Sequence, residues 1–115
     1  MKPLYPTLKE KKRYILLKVY SDFKISFQDI EKEVLAQINN FLGNLEASKA
    51  GIIIFKETWD SKSKTFILRV GNKQVDKVKS AITLIKDVKN KPVMIASLKT
   101  SGTLRKLKDF QKKVK

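Results

Sequence analysis

The chain has 115 residues, the size of one domain, and it contains neither cysteine nor histidine. The missing cysteine excludes disulfides and thiolate metal sites, and the missing histidine removes the commonest general base and metal ligand. Its formal net charge of +15, from 26 basic and 11 acidic residues, indicates a polyanionic partner, most commonly nucleic acid.

The excess charge is concentrated at the two ends of the chain. Residues 1–13 carry +4 and residues 99–115 carry +6, whereas the 85 residues between them carry only +5. This distribution predicts a small folded domain that binds a polyanion through basic residues at its edges. The chain shows no secretory signal and no apolar run near the roughly 20 residues that a membrane span needs. We therefore expect a cytoplasmic protein.

The first half of the sequence predicts a tail, a strand and a helix. Residues 1–12 form a basic tail, and residues 13–115 form a single RNA-binding domain. Alternating apolar positions predict a strand over residues 13–20. Ser26 opens a capping box, and apolar residues at helical spacing follow it. Gly43 is expected to end this helix, so that a connecting segment comes next.

The second half predicts three more strands and two more helices. Strands over residues 52–60 and 65–70 are joined by a connection short enough for a hairpin. Asn72 is expected to cap the second helix. A fourth strand spans residues 93–98, and a basic helix spans residues 103–114.

This order of elements predicts an α/β (α+β) fold. It is the ferredoxin-like, RRM-like βαββαβ arrangement, with an antiparallel four-stranded sheet and an extra C-terminal helix. The first two helices should share one face of the sheet. The third helix has an apolar stripe that needs a partner, and the other sheet face is the nearest candidate.

The residues offer no self-contained catalytic site. The carboxylates show no paired spacing, the four glycines are isolated, and no histidine can activate a serine or threonine. We therefore expect no catalytic residue, no metal site and no cofactor on the protein. A phosphatase of the acylphosphatase type would need a phosphate-cradling Arg near an Asn. Arg13 and Asn72 exist, but their spacing does not connect them. A ribosomal protein would share the charge.

The exposed surface of a four-stranded sheet can bind single-stranded RNA by stacking bases on aromatic side chains. The third strand partly resembles the motif involved but lacks its glycine and its regularly spaced aromatic pair. We therefore expect Tyr14 and Phe66 to be covered by the third helix or by a protein partner. Leu16 is expected to join them at a protein interface.

Four segments of the chain, taken together, resemble the archaeal ribonuclease P protein component 2 family. They are residues 6–15, 41–50, 78–85 and 100–108, and they match in order over almost the whole chain. That family is related to the Pop-type small subunit of eukaryotic ribonuclease P and MRP.

The resemblance implies a subunit of an RNA-based enzyme. Ribonuclease P cleaves the 5′ leader from precursor tRNA, and its catalytic groups are RNA phosphates and Mg²⁺ bound by the RNA. The family member pairs with a larger TIM-barrel subunit, ribonuclease P protein component 3, usually as a dimer of heterodimers. Together they support the catalytic domain of the ribonuclease P RNA.

The basic ends supply the candidate contacts to that RNA. The turn at residues 101–103 could be a plain helix cap, but its N–H groups and hydroxyls also suit a phosphate. Lys49 is added from its loop position and its family segment. The predicted RNA-binding set is Lys9, Lys11, Lys12, Arg13, Lys49, Lys99, Ser101, Gly102, Thr103, Arg105, Lys106 and Lys108. The tail and the C-terminal residues are expected to contact separate parts of the RNA backbone.

Overall fold

The computed structural model describes residues 11–113. The strands are β1 (Lys12–Tyr20), β2 (Ile53–Asp60), β3 (Thr65–Gly71), β4 (Asp87–Val88), β5 (Lys91–Pro92) and β6 (Met94–Ser101). The helices are α1 (Phe27–Ala50), α2 (Val75–Thr83) and α3 (Leu104–Lys113). The four long strands and three helices follow one another in the predicted order.

The long strands form one antiparallel sheet in the order β2-β3-β1-β6. This confirms the ferredoxin-like prediction. β1 and β3 are the central strands, and both carry apolar residues at consecutive positions rather than alternating ones. A strand needs that composition when both faces of its sheet are covered.

The larger core lies between the sheet and the first two helices. Its fully buried members include Ile15, Leu17 and Val19 of β1, Ile30, Val34 and Ile38 of α1, and Val78 and Ile82 of α2. The helical residues recur at the three- and four-residue spacing of an amphipathic helix. As predicted, α1 and α2 therefore pack on the same face.

Phe66 belongs to this larger core, and the prediction that it lies beneath the third helix or at a protein interface is wrong. Its side chain is 0% exposed, and its ring centroid lies 5.3 Å from that of Phe27 and 6.2 Å from that of Trp59. The reason is alternation along β3, which directs Phe66 and the neighbouring Ile67 to opposite faces.

Helix α3 covers the other face of the sheet, as the unpartnered apolar stripe suggested. Leu107 packs on Leu16 and Ile67, and all three are 0% exposed. The predicted protein contact at Leu16 is therefore wrong for this structure, because the chain's own α3 buries it. Near the end of α3, Gln111 Nε2 donates to Thr65 Oγ1 at 2.8 Å, which fixes the helix to β3.

Gly43 interrupts α1 as predicted, with non-helical dihedrals (φ 84°, ψ 160°), and the segment after this kink is helical as far as Ala50. Another local prediction fails for a backbone reason. Asn72 does not cap a helix with its side chain; it opens a 3₁₀ turn, Asn72–Gln74, that precedes α2. The small β4–β5 hairpin was missed because its turn residues, Lys89 and Asn90, both adopt positive φ without the usual glycine.

Asp60 fixes the turn between β2 and β3 and makes that turn sensitive to acid. Its Oδ1 accepts hydrogen bonds from the backbone N–H groups of Lys62 at 2.9 Å and Ser63 at 3.5 Å. The bond from Lys62 is the main cause that lowers the pKa of Asp60 below its ordinary value of 3.8. Because the folded pKa is depressed, this carboxylate stabilises the fold above about pH 4, and the contribution is lost as the pH falls through the folded value.

We therefore predict that Asp60→Asn flattens the acid side of the stability profile. The variant keeps an oxygen acceptor but cannot lose stability by protonation. Urea midpoints measured between about pH 5 and pH 2 should fall less for the variant than for the wild type. Asp22→Asn, at an exposed position, is the control. Parallel midpoint curves for wild type and Asp60→Asn would contradict the prediction.

Candidate nucleic-acid interface

The two basic ends of the chain meet at one end of the sheet. In the strand register, Lys12 of β1 lies opposite Gly71 of β3, and Tyr14 lies opposite Ser101 of β6. The start of β1 and the turn that leads into α3 are therefore neighbours. Lys11 directly precedes β1, whereas Lys9 lies outside the described residues.

Arg13 links these segments directly. Its Nε donates to Asn72 Oδ1 at 2.9 Å. Its Nη1 lies 3.1 Å from the position that a Cβ on Gly102 would occupy. A side chain at Gly102 would require the guanidinium to shift by a few tenths of an ångström, so glycine permits this close approach. Contrary to the expectation from spacing, Arg13 and Asn72 are in contact. They do not form a phosphate-cradling loop, since Arg13 lies within a strand and its Nε hydrogen occupies the Asn72 oxygen.

The turn before α3 adds hydrogen-bond donors beside this guanidinium. The Thr103 N–H donates to Ser101 Oγ at 3.2 Å, while Gly102 and Thr103 are exposed. Arg105 and Lys106 follow in the first turn of α3, and both are exposed. A helix N-terminus flanked by cations can hold a phosphate through its N–H groups and through charge.

Lys12 extends the same surface toward the end of α1, since its Nζ lies 3.5 Å from the position that a Cβ on Gly51 would occupy. Gly51 itself ends α1 in a left-handed conformation with φ 60°. Lys49 is exposed in the last turn of that helix, not in a loop as expected. We call the region the basic end surface, and it consists of Lys11, Lys12, Arg13, Ser101, Gly102, Thr103, Arg105 and Lys106.

Two predicted contacts lie away from the basic end surface. Lys99 Nζ sits 4.8 Å from the ring centroid of Phe110, a cation–π contact that packs this lysine against α3. Lys108 lines a groove between α3 and the β2–β3 turn. The structure therefore brings most of the predicted set together, including residues from opposite ends of the chain that were expected to act separately.

No carboxylate neutralises the predicted contacts among residues 11–113. The ion pairs found there join Lys56 to Glu31, Lys77 to Glu46, and Lys89 to Asp29. None of these lysines belongs to the predicted set. The positive charge of the basic end surface is therefore available to an external anion.

The described residues show no arrangement typical of a metal centre or a membrane span. In that part of the chain, no three His, Cys, Asp or Glu side chains are grouped so that they could hold a metal ion. None of its helices is long and apolar enough to cross a bilayer.

Most of the chain matches a known protein family. The model of the Rpp14/Pop5 family matches residues 13–112, which include the sheet, both helices of the larger core and most of α3. The chain belongs to the Rpp14/Pop5 family. The resemblance found in the four sequence segments is thereby confirmed.

Archaeal proteins named ribonuclease P protein component 2 are similar to this chain over most of their length. Ribonuclease P protein component 2 of Thermococcus kodakarensis is 34% identical over 109 residues, which cover 93% of this chain and 89% of that protein. The protein of the same name from Methanocaldococcus jannaschii is 34% identical over 94% of this chain and 78% of its own length. That of Pyrococcus furiosus is also 34% identical, over 93% of this chain and 88% of its own length.

A solved structure shares the fold of this Rpp14/Pop5 member. A chain in the cryo-EM structure of yeast ribonuclease MRP superposes with a TM-score of 0.55, covering 90% of this chain and 93% of the yeast one. The two sequences are only 15% identical, so this match supports the architecture alone.

Proposed function

We propose that this chain is a non-catalytic protein subunit of ribonuclease P, which removes 5′ leaders from precursor tRNA. The observation that carries the proposal is the basic end surface, displayed on the fold of a family whose archaeal members are ribonuclease P proteins. The chemistry of that enzyme belongs to its RNA, so the protein subunit needs no catalytic side chains of its own.

The proposed role is to brace the catalytic domain of the RNA electrostatically. A folded RNA brings its phosphates close together, and the resulting repulsion raises the ionic strength that the RNA needs in order to fold. Cations fixed on the protein replace condensed counterions and relieve that repulsion. Mg²⁺ would then be held by the RNA at lower concentration, while the protein binds no cofactor. Arg13 is well suited to this task because Asn72 holds its guanidinium in place before the RNA arrives.

We further propose a protein partner, the TIM-barrel subunit ribonuclease P protein component 3, arranged with this chain as a dimer of heterodimers. Large apolar side chains on α1 support a protein contact, because Leu35, Phe41 and Leu45 are 42%, 46% and 70% exposed. The predicted protein contact at Tyr14 is not part of this proposal, because its half-buried ring packs against the cluster of Leu16, Ile67 and Leu107 beneath α3. The cytoplasmic location also remains a prediction.

Reconstitution of the enzyme tests the proposed function. The purified chain is added to ribonuclease P RNA with its partner proteins, and 5′-leader release from precursor tRNA is measured against Mg²⁺ concentration. Omitting this chain should raise the Mg²⁺ concentration at which cleavage begins.

A capture experiment provides the control for identity. RNA recovered with a tagged chain from cells should be enriched in ribonuclease P RNA. Enrichment of ribosomal RNA instead would favour a ribosomal protein. Leader cleavage by the chain in the absence of any RNA subunit would refute a non-catalytic role.

A further inference from the structure

Helix α3 covers only part of its sheet face. Beneath it, Leu16 and Ile67 are completely buried. Toward the edge strand β2, exposure rises through the half-buried Phe55 to Ile53, which is 41% exposed. The sheet face is therefore left partly open between α3 and the first half of β2, up to the point where Gln111 Nε2 donates to Thr58 O at 2.7 Å. We call this open strip the α3–β2 trough.

The floor of the α3–β2 trough carries aromatic rings and an arginine. Tyr14 and Phe55 stack with ring centroids 6.1 Å apart and planes inclined by 25°. In the register, Arg69 lies between Tyr14 on β1 and Ile53 on β2, so its side chain shares their face. Its Nε is buried and has no hydrogen-bond partner among the described residues. A buried Nε–H without an acceptor is unusual, since buried donors are normally satisfied.

A cationic groove of about 530 Å³ lies at the end of the trough, where the last turns of α3 meet the β2–β3 turn. Lys108 and Lys112 of α3 line this groove with Lys62 of the turn, whereas Tyr14, Phe55 and Arg69 do not reach it. Arg105 lies three residues before Lys108, which places it on the same side of α3. None of these four takes part in an ion pair within residues 11–113. Cations therefore recur along this side of the helix from its first turn to its last, with Asp109, four residues after Arg105, as the one carboxylate of α3.

The acidic residues at this groove offset part of that charge, since Glu57 and Asp60 line it together with three lysines. Asp60 turns its Oδ1 into the backbone N–H groups of the β2–β3 turn. Glu57 is a single exposed carboxylate on β2. Between them they leave a surplus of cations on the α3 side, where an approaching polyanion would lie.

We propose that the α3–β2 trough binds a single-stranded segment of RNA, as a second site that adjoins the basic end surface at Arg105. Phosphates contact Arg105, Lys108, Lys112 and Lys62, and an unpaired base contacts the Tyr14–Phe55 pair beside Arg69. Stacking on aromatic rings combined with backbone cations is how proteins bind single strands without reading sequence. An acidic peptide would use the cations but not the rings, so the observations favour a nucleotide chain. The inference rests on the proposed function, since RNA must be the partner.

Binding of a short RNA probe tests the trough apart from the whole enzyme. The probe is a fluorescent oligoadenylate of about eight nucleotides, comparable to the site size of small single-strand binding folds. We expect Lys62→Gln with Lys112→Gln to weaken binding at about 0.1 M salt by roughly tenfold or more, and to lower the salt slope by about one to two units. Lys86→Gln with Lys91→Gln removes the same charge at exposed positions outside the trough and should leave binding almost unchanged.

The aromatic floor needs its own variants, because any basic surface responds to loss of lysine. Tyr14→Leu should weaken the probe by roughly fivefold to a hundredfold, the range found when one base loses its stacking partner. Tyr14→Phe keeps the ring and should bind like the wild type. Urea midpoints of each variant confirm that the fold is intact before binding is compared.

The possible outcomes separate the trough from the proposed function. If the wild type, Lys62→Gln with Lys112→Gln, and Tyr14→Leu all bound the probe equally, the proposed site in the trough would be refuted. It would also be refuted if polyglutamate displaced the probe as well as RNA does. If reconstitution with ribonuclease P RNA still succeeds in that case, the proposed function stands. Displacement of the probe by ribonuclease P RNA alone assigns the strand to the enzyme's RNA, and displacement by precursor tRNA alone assigns it to the substrate. Failure of both to displace it contradicts the proposal.

Discussion

Phe66→Ala should destabilise the isolated chain by about 3–5 kcal/mol, a large part of the roughly 5–15 kcal/mol that holds a domain together. The ring is fully buried against Phe27 and Trp59, so truncation removes its transfer free energy and leaves a cavity between the sheet and α1. Denaturant unfolding monitored by the fluorescence of the single tryptophan measures the loss.

A matched variant separates this core role from a role at an interface. Phe23→Ala removes the same ring at a position that is 46% exposed, and it should cost far less. Phe66→Leu should retain much of the stability because it refills most of the cavity. If Phe66→Ala kept its unfolding midpoint and lost only partner binding, the buried placement of this ring would be refuted.

Arg105→Ala with Lys106→Ala should weaken binding to ribonuclease P RNA by about tenfold to a hundredfold at roughly 0.1 M salt. The slope of log K against log salt should also flatten by about one to two units, because two cations no longer release counterions from the RNA. Both side chains are exposed, so the loss should not come from unfolding. Filter binding across a salt series measures both quantities.

The control is again Lys86→Ala with Lys91→Ala, which lowers the net charge equally. Its site lies beside the β4–β5 hairpin, whereas Arg105 and Lys106 lie at the opposite end of β6. Equal effects from the two pairs would show that only total charge matters. An unchanged slope for Arg105→Ala with Lys106→Ala would exclude these residues from the interface.

The basic end surface explains why charge at both ends of one chain can serve one purpose. β1 lies beside β6 in the sheet, so the first strand begins where the last strand ends. Arg13 and Gly102 are distant in sequence yet lie in close contact. A polyanion bound there would be held by both ends of the chain, which would couple RNA binding to the integrity of the whole sheet.

The amino-acid sequence by itself determined the order of elements, the antiparallel ferredoxin-like fold and the basic character of the surface. Period-two and helical apolar patterns are local properties of the chain, and net charge needs no structure at all. The sequence also shows Arg69 as a lone cation in an apolar strand, a pattern that indicates a charged side chain on a largely covered sheet.

Only the tertiary structure decided which of these residues meet. Strand register placed Arg13 against Asn72 and Gly102, and it sent Phe66 and Leu16 to opposite faces of the sheet. The path of α3 across the sheet then buried Leu16 and left the trough beside it open. These outcomes depend on pairings between residues far apart in the chain. A pattern of neighbouring residues reveals the face of a strand but not what lies opposite it.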